Sequence, residues 1–281
     1  MWVAFGAKST SKVAKDLNEK VPTKKLAYMG PFNPNIWKNY DAIYGVVEWV
    51  LEEDEILFLN NLAKKIPIIF ASYYARFLAR CYPCTVVHHE VANDFLMAKA
   101  NEKFSDYDSF TIFFYMERKN PDILEKLIRH PKFKRKLLIV SNNCTKLNTH
   151  NSKCINSFGN LVESDVKALM LNKTFIWVSG NEGFGLPPLE ASSVGSPVAG
   201  YRVMPLSEWY PFPNKLYGKI SFKEVRMGGV LNPTAKPDDL DDFVEYVNSI
   251  ERKQDKDLRD YVLENYTNRK QYYKIDEIVN R

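Results

Sequence analysis

Short apolar runs alternate with amphipathic stretches along the first hundred residues, and this alternation predicts a parallel β-sheet covered by helices. Each apolar run is short and bounded by turn-forming residues, as expected of a buried strand. The predicted strands are 1–5, 25–29, 43–49, 66–71 and 85–89, and the predicted helices are 11–20, 54–65 and 72–80. Strands and helices that alternate at this spacing form parallel βαβ units. We therefore expect a first, small α/β domain over residues 1–105.

A second α/β series follows the polar stretch Asn101–Asp108, which we interpret as a hinge between two domains. Its predicted strands are 110–115, 137–140, a run ending at 158–160, 175–178 and a run starting at 198. Its first two predicted helices are 121–129 and a segment that begins near Asp165 and is capped by Ser164. A Pro/aromatic loop at 208–213 and a turn at 228–229 follow, and further helices are predicted from 238 onward. The second domain is assigned to residues 106–256, and the charged, amphipathic stretch 257–281 is predicted to form one closing helix.

The most informative stretch is Phe175–Tyr201, because glycines that are scarce elsewhere cluster in it. Five of the 12 glycines of the chain lie there. Gly183 and Gly185 follow a buried strand, where the backbone can adopt positive φ or approach a ligand closely. Pro187 and Pro188 then open a helix. The free N–H groups and the positive end of this helix form a natural seat for a phosphate group.

Two carboxylates flank this loop: Glu182 lies within it, and Glu190 lies in or near the first turn of the helix. Carboxylates repel phosphate, so they are better suited to the hydroxyl groups of a ribose and a sugar. Together with Gly-Phe-Gly-Leu-Pro-Pro-Leu between them and Gly195-Ser-Pro-Val after them, they resemble the E-x7-E signature of retaining, nucleotide-sugar-dependent glycosyltransferases of the family 4-like type. The resemblance implies the GT-B fold, in which two Rossmann-like parallel-sheet domains face a cleft and a C-terminal helix crosses back to the first domain.

The resemblance also implies what the site binds and which residues bind it. The donor is a UDP- or GDP-sugar, no metal or other cofactor is required, and a hexose is transferred with retention of anomeric configuration. Glu182 is expected to hold the hexose hydroxyls and Glu190 the ribose. The other donor-binding positions are loop residues: Gly6, Asn142, Asn143, Gly159, Gly183, Phe184, Gly185 and Leu186. The acceptor is a glycan, a lipid or a protein, and the sequence does not identify it.

Arg118 and Lys119 carry the positive charge that a departing diphosphate requires. They follow the predicted strand 110–115, and open α/β sheets bind ligands at the C-terminal ends of their strands. A guanidinium grips phosphate through two hydrogen bonds, and an ammonium adds a mobile point charge. We therefore assign Arg118, Lys119 and Glu182 to catalysis. The alternative interpretation of the basic pair is a turn exposed to solvent.

Three features depart from the resembled family and leave a second function open. Met116-Glu117-Arg118 stands where the family has Gly-Arg, and His88-His89-Glu90 stands in place of a Pro-(His/Asn)-Gly turn. The first-domain histidine that the family places near the reacting carbon has no assignable counterpart. Besides these three departures, the first domain is much smaller than usual. The alternative function is a catalytically silent nucleotide-sugar-binding subunit that acts with a partner chain.

Composition narrows the range of partners. The 281 residues are 45% hydrophobic and 26% charged, with a net charge of +5, as in ordinary globular proteins. This charge permits contact with an anionic membrane surface, but the lysines and arginines are mixed with acids, so nucleic-acid binding is not expected. No apolar run approaches the roughly 18 residues of a membrane span, and the N-terminal run does not resemble a signal peptide. A cytoplasmic location, with or without peripheral membrane contact, is expected.

Two rival enzyme classes have weaker support. Asp106-Tyr107-Asp108 has the Asp-x-Asp spacing of metal-dependent GT-A transferases, but it precedes a predicted strand instead of ending one, which favours a polar linker. A dinucleotide-binding dehydrogenase is not expected, because Gly-x-Gly-x-x-Gly follows none of the predicted strands.

The four cysteines form two candidate pairs. Cys81 and Cys84 have the spacing of a redox or zinc motif, but a second pair of ligands is missing. Cys144 and Cys154 flank a polar loop that a disulfide could close, although disulfides are rare in cytosolic proteins. We therefore predict no metal site.

Overall fold

The chain folds into two α/β units, as the alternating pattern predicts. The computed structural model describes residues 1–4, 8–101, 104–156, 161–227 and 230–281. Within these residues lie two five-stranded parallel sheets and one two-stranded antiparallel sheet. The prediction of an α/β fold with two parallel-sheet domains is confirmed.

The first sheet has its strands in sequence order, β1-β2-β3-β4-β5. The strands are β1 (Trp2–Ala4), β2 (Ala27–Pro31), β3 (Ala42–Val46), β4 (Ile68–Phe70) and β5 (Thr85–Val86), and the helices are α1 (Lys8–Lys20), α2 (Pro34–Trp37), α3 (Glu53–Leu62), α4 (Tyr73–Leu78) and α5 (Asn93–Met97). Side chains alternate between the two faces along each strand. Tyr44 of β3 therefore shares a core with α1, whereas Ile43 shares a core with α2, α3 and α4.

The second sheet has the order β10-β9-β6-β7-β8. Its strands are β6 (Ser109–Phe113), β7 (Leu137–Ser141), β8 (Ser152–Ile155), β9 (Thr174–Trp177) and β10 (Val198–Gly200), and its helices are α6 (Pro121–Arg129), α7 (Glu163–Met170), α8 (Leu186–Ser193), α9 (Leu206–Trp209) and α10 (Leu240–Ser249). Because β6 pairs with both β7 and β9, the strand order reverses between β6 and β9. The crevice at the C-terminal ends of two such strands is where open sheets bind ligands.

An antiparallel hairpin that the sequence did not predict packs beside the end of β9. Its strands are β11 (Ile220–Met227) and β12 (Val230–Pro237). The N–H of Ala235 donates to the Gly180 carbonyl at 3.0 Å, and a Cβ on Gly180 would lie 2.1 Å from the Ala235 oxygen. Only glycine allows this close approach. The predicted turn at 228–229 falls between the two strands, outside the described residues.

The prediction of one closing helix over 257–281 is wrong, because the stretch forms two helices. α11 (Lys256–Asn265) packs against α8 of the second domain. α12 (Tyr272–Val279) lies against the first sheet, where the Tyr272 ring meets the Tyr44 ring at a centroid distance of 6.3 Å. The chain therefore crosses back to the first domain, as the GT-B resemblance implies, but it does so between these helices.

Glu90 of the first domain holds the crossing segment in place. Its carboxylate accepts backbone N–H bonds from Arg269, Gln271 and Tyr272 at 3.1, 2.7 and 3.2 Å, and Lys20 donates to it at 2.9 Å. The Glu90 side chain is fully buried, so these donors compensate for the loss of water around a charged group.

One hydrophobic core joins the two domains. It contains Val13 and Tyr44 from the first domain, Phe110 and Leu189 from the second, and Ile275 from α12. The polar stretch between the domains therefore connects units that share a large apolar contact.

The predicted cap of α7 is wrong. The helix begins at Glu163, its N-cap is Val162 without a side-chain hydrogen bond, and Ser164 lies inside the first turn. The expected strand end at 158–160 lies outside the described residues, and β8 ends at Ile155.

Both cysteine pairs are disulfides. Cys81 and Cys84 lie with their Cα atoms 5.4 Å apart, and Cys144 and Cys154 with theirs 5.5 Å apart. Neither pair is therefore available as thiolate metal ligands. Each helix in the described part of the chain falls short of the length and apolar character that spanning a bilayer requires.

Candidate functional site

A cleft of about 490 Å³ lies between the two domains, at the C-terminal ends of β2 and β3 on one side and of β6 and β9 on the other. Its first-domain wall includes Met29, Pro31, Val46 and Glu48, and its second-domain wall includes Trp177. The volume lies within the usual range for small-molecule sites. The cleft is thus large enough for a ligand and is located where the strand order of the second sheet reverses.

The glycine loop forms the floor of this cleft. Gly185 is the N-cap of α8 and has φ of +93°, a conformation that side chains other than glycine rarely adopt. A Cβ on Gly183 would lie 2.8 Å from Cγ1 of Val46, so the loop touches the first domain through bare backbone. The glycines predicted to allow close approach do so, and the neighbour at Gly183 is the opposite domain.

Arg118 and Lys119 lie in a short 3₁₀-helix, Glu117–Lys119, that follows β6. Both side chains are about nine-tenths buried, so the alternative interpretation of the pair as a turn exposed to solvent is excluded. Nη1 of Arg118 and Nζ of Lys119 donate to the carbonyl of Asn181, at 3.1 and 3.3 Å. The basic pair is therefore fixed against the start of the glycine loop.

Each of these cations has a carboxylate partner. Lys119 forms an ion pair with Glu182 of the same domain, and Arg118 forms one with Glu48 of the first domain. Burial tends to raise the pKa of Glu48, but the charges of Lys119 and Arg118 and hydrogen bonds from Gly183 N–H and Arg118 outweigh it and hold this pKa below its ordinary value. Burial lowers the pKa of Lys119, against the opposing effect of Glu182. Glu48 stays ionised as a result, and the cluster contains two cations and two carboxylates.

Glu190 lies in a second charged cluster of the cleft. Nζ of Lys12, on α1, is 3.1 Å from Oε1 of Glu190 and 3.0 Å from Oε2 of Glu163. Burial raises the pKa of Glu190, although Lys12 acts in the opposite direction. Burial also tends to lower the pKa of Lys12, but the two carboxylates outweigh it and raise this pKa above its usual value. Lys12 is therefore charged and links the first domain to the signature helix.

His88 and His89 lie against the glycine loop, although no histidine could be assigned from the sequence. The His89 ring is perpendicular to the Phe184 ring at 5.0 Å, and the His88 ring lies 5.7 Å from it. His89 is 2% exposed, and burial, assisted by His88, lowers its pKa to about 3. His89 is thus neutral at physiological pH and lines the cleft.

Glu208 links the domains beside these histidines. Its carboxylate accepts the N–H groups of Tyr73 and Tyr74, which open α4, at 2.8 and 2.7 Å, and lies 3.4 Å from Nε2 of His88. Ser72, the N-cap of α4, donates its hydroxyl to the Gly183 carbonyl at 2.6 Å. The start of α4 is consequently held by two residues of the second domain.

The structure brings most of the predicted site residues together. Those that line the cleft are Arg118, Lys119, Glu182, Phe184, Gly185, Leu186 and Glu190, with Gly183 against its first-domain wall. Asn142 and Asn143 are exposed at the end of β7, outside the cleft lining; Asn142 accepts the Tyr115 N–H and Asn143 the Thr145 N–H. Gly6 and Gly159 lie outside the described residues.

The sequence analysis missed Glu48 and Lys12. Glu48 was placed inside the predicted strand 43–49, but β3 ends at Val46, so Glu48 lies just beyond a C-terminal strand end. Had the strand been predicted to end at Val46, Glu48 would have stood at a C-terminal strand end, where open α/β sheets bind ligands, as Arg118 does. Lys12 gave no comparable signal, since it is one of several charged residues on an amphipathic helix.

No metal cluster accompanies this site in the part of the chain that the structure describes. Asp108 precedes β6, and its carboxylate accepts the N–H of Lys136 and pairs with Arg252. It therefore lies at the edge of the sheet away from the cleft.

No protein-family profile and no curated protein sequence matches the chain, but solved structures match its fold. Sucrose-phosphate synthase from Thermosynechococcus elongatus superposes with a TM-score of 0.64 and 11% identity, over 98% of this chain and 80% of the synthase. TarM from S. aureus gives a TM-score of 0.62 and 14% identity, over 91% of this chain and 55% of TarM. HepE from Anabaena, solved with UDP and glucose, superposes with a TM-score of 0.58 and 13% identity, over 99% of this chain and 77% of HepE.

These likenesses concern the fold, because every identity is far below the level at which activity transfers. The chain spans about half the length of TarM. Two parallel-sheet domains that face a cleft, with a crossing C-terminal segment, constitute the GT-B fold that these proteins share.

Proposed function

We propose that this protein is a glycosyltransferase that moves a hexose from a UDP- or GDP-sugar to a glycan, lipid or protein acceptor, with retention of anomeric configuration. The observation that carries the proposal is the convergence of a buried Arg118–Lys119 pair and the glycine loop on one interdomain cleft. TarM and HepE, which have the same fold, were solved with UDP bound, and HepE also with glucose.

The chemistry of sugar transfer gives each group a role. Breaking the bond between sugar and diphosphate puts negative charge on the departing phosphate, and Arg118 and Lys119 are positioned to stabilise it. Preorganised charge of this kind costs no reorganisation during the reaction. Glu182, adjacent to Lys119, holds the hexose hydroxyls, and Glu190 holds the ribose. The amides of Phe184–Leu186 bind the diphosphate at the positive end of α8.

We infer that the reaction needs no metal ion, because the basic pair supplies the charge that a divalent cation supplies elsewhere. Asp108, the second carboxylate of the Asp-x-Asp motif, lies at the far edge of the sheet, where it accepts the Lys136 N–H and pairs with Arg252. Binding of UDP should therefore survive EDTA. Binding that is lost in EDTA and restored by manganese contradicts this inference.

The cytoplasmic location stays a prediction, and the two disulfides bear on it. Disulfides persist in oxidising compartments and are rare in the reducing cytosol. Thiol labelling of the four cysteines in freshly lysed cells tests the point, because a cytosolic protein should be labelled at all of them.

The proposal is tested by titrating the protein with UDP, GDP and a panel of their sugars in a calorimeter, followed by assay of donor hydrolysis. Lys119→Met should weaken binding of the preferred nucleotide by about 1.5–3 kcal/mol, the contribution of a charged hydrogen bond. Lys126→Met is the matched control, because Lys126 is exposed on α6. Absence of binding to every nucleotide contradicts the proposal. Binding without any hydrolysis or transfer supports the silent subunit instead.

A further inference from the structure

Glu48 is the one acidic side chain through which the first domain contacts the basic pair in the described part of the site. It follows β3 and lines the cleft, with 23% of its side chain exposed. A carboxylate in this position faces the groups that the proposed function assigns to a diphosphate. Its contacts therefore bear on how an anion enters the site.

The contacts of Glu48 match those expected of a bound phosphate. The Arg118 guanidinium forms an ion pair with its carboxylate, and the charge of Lys119 acts on the same carboxylate. The backbone N–H of Gly183, in the glycine loop, also hydrogen-bonds to it. A guanidinium, an ammonium and a loop amide are together the set of donors that holds phosphate in other nucleotide sites.

We propose that Glu48 is an intramolecular competitor of the donor diphosphate: its carboxylate occupies the anion site of the empty enzyme, and the ligand must displace it. This inference rests on the proposed function, because it names the residue that sets donor affinity in the proposed site. Displacing Glu48 also breaks an ion pair between the two domains, so binding of the diphosphate is coupled to release of this contact.

The cost of burying an unpaired charge predicts how removing the Glu48 charge should change anion affinity. With Glu48 present, the diphosphate gains contacts with Arg118 but must first break an existing pair. With glutamine at this position, Arg118 keeps its charge in a buried place without a full partner, which destabilises the empty protein. An incoming anion then relieves that cost as it binds. Removing the negative charge should therefore lower the stability of the empty enzyme and tighten its anion affinity.

The decisive variant is Glu48→Gln, with Glu53→Gln as its matched control. Glu53 carries the same charge on the same segment, at the exposed start of α3. The probes are UDP and inorganic pyrophosphate, titrated by calorimetry into each full-length protein. We expect Glu48→Gln to bind both about tenfold more tightly than wild type, within the usual range of coupling between sites. Glu53→Gln should bind both as wild type does.

A purely structural role for Glu48 predicts the same loss of stability but no gain in anion affinity. It would lower the melting temperature and leave affinity unchanged or weaker, so a folded Glu48→Gln protein without tighter binding overturns the proposal. Glu48→Asp provides a second variant, because it withdraws the carboxylate by one methylene while keeping the charge nearby. It should tighten binding by a smaller factor, and an Asp variant with wild-type affinity for both probes also counts against the proposal.

The two probes separate this inference from the proposed function. If pyrophosphate binds more tightly to Glu48→Gln while neither UDP nor GDP, titrated in the same way, binds any variant, the competing carboxylate is supported and the nucleotide-sugar function fails. If UDP binds wild type and Glu48→Gln equally, the proposed function survives and the competitor role fails.

Discussion

Nζ of Lys12 lies 3.1 Å from Oε1 of Glu190, so a helix of the first domain neutralises the carboxylate that is predicted to bind ribose. The same ammonium lies 3.0 Å from Glu163. The predicted nucleoside position is thus built by both domains.

The first prediction concerns Glu190. Glu190→Gln should weaken the binding of UDP and of the UDP-sugar equally, by about 1.5–3 kcal/mol. Both ligands carry the ribose that the charged carboxylate would hold. Calorimetry with the two ligands measures it. Glu163→Gln is the control, since it also removes one carboxylate from Lys12. A change in the ratio of the two affinities for Glu190→Gln contradicts the ribose assignment.

The second prediction concerns Glu182, which pairs with Lys119. Glu182→Gln should spare UDP affinity and lower turnover more than donor affinity, because a misplaced sugar loses its orientation at the transition state. Steady-state kinetics and UDP titration on the same preparation check this. If the carboxylate only stabilises the neighbouring helix, an effect of about 0.3–1 kcal/mol on unfolding, the variant will melt earlier and keep full activity per folded molecule.

The third prediction concerns the pH dependence of stability that His89 produces. The folded pKa is about 3 and the unfolded pKa is about 6.5, so between these values the unfolded chain binds a proton that the folded protein does not. Stability should therefore fall as pH drops from 6.5 towards 3, by up to about 1.4 kcal/mol per unit from this residue. Denaturant unfolding of wild type and His89→Phe at pH 7 and pH 5 measures the difference.

His150→Asn serves as the control for His89, because His150 is exposed. It should keep the wild-type slope. A His89→Phe protein with an unchanged difference between pH 7 and pH 5 would show that His89 already carries a proton when folded.

The fourth prediction concerns the contact between β9 and the hairpin. Gly180→Ala should destabilise the protein by about 1–3 kcal/mol or more, because the new methyl meets the rigid carbonyl of Ala235 at 2.1 Å. Gly218→Ala is the control, since its Cβ would meet the flexible Arg202 side chain at 3.2 Å. Thermal melts of the two variants compare them. Equal melting temperatures would mean that the hairpin can shift away from the new methyl group at little cost in stability.

The sequence predicted those parts of the site that lie close together along the chain. Glu182, Gly183 and Gly185 lie in one short segment, and Arg118 follows a recognisable strand, so local patterns were sufficient. The pairs that cross the cleft gave no such pattern. Lys12 and Glu190 are 178 positions apart, and Glu48 and Arg118 are 70 apart. Such pairs depend on how the domains pack, which a single sequence does not encode in any local spacing.

The same limit explains the errors in secondary structure. α2 has only four residues and is fixed by the Asn33 side chain, which caps the N–H groups of Asn35 and Ile36. Such a helix is too short for apolar periodicity to appear. The stretch 257–281 has helical periodicity throughout, but the contacts of Glu90 with the backbone at Arg269 and Gln271 interrupt it.

The hydrogen bond between Glu90 and the Tyr272 backbone joins positions 182 residues apart, and this separation has a consequence for biosynthesis. At about 5–20 residues per second, the ribosome needs about 10–40 seconds to proceed from Glu90 to Tyr272. Throughout that interval the face of the first sheet around Tyr44 is without α12, and the buried carboxylate of Glu90 is without its backbone donors. The first domain should therefore complete its folding only after the second domain has formed, although it is synthesised first.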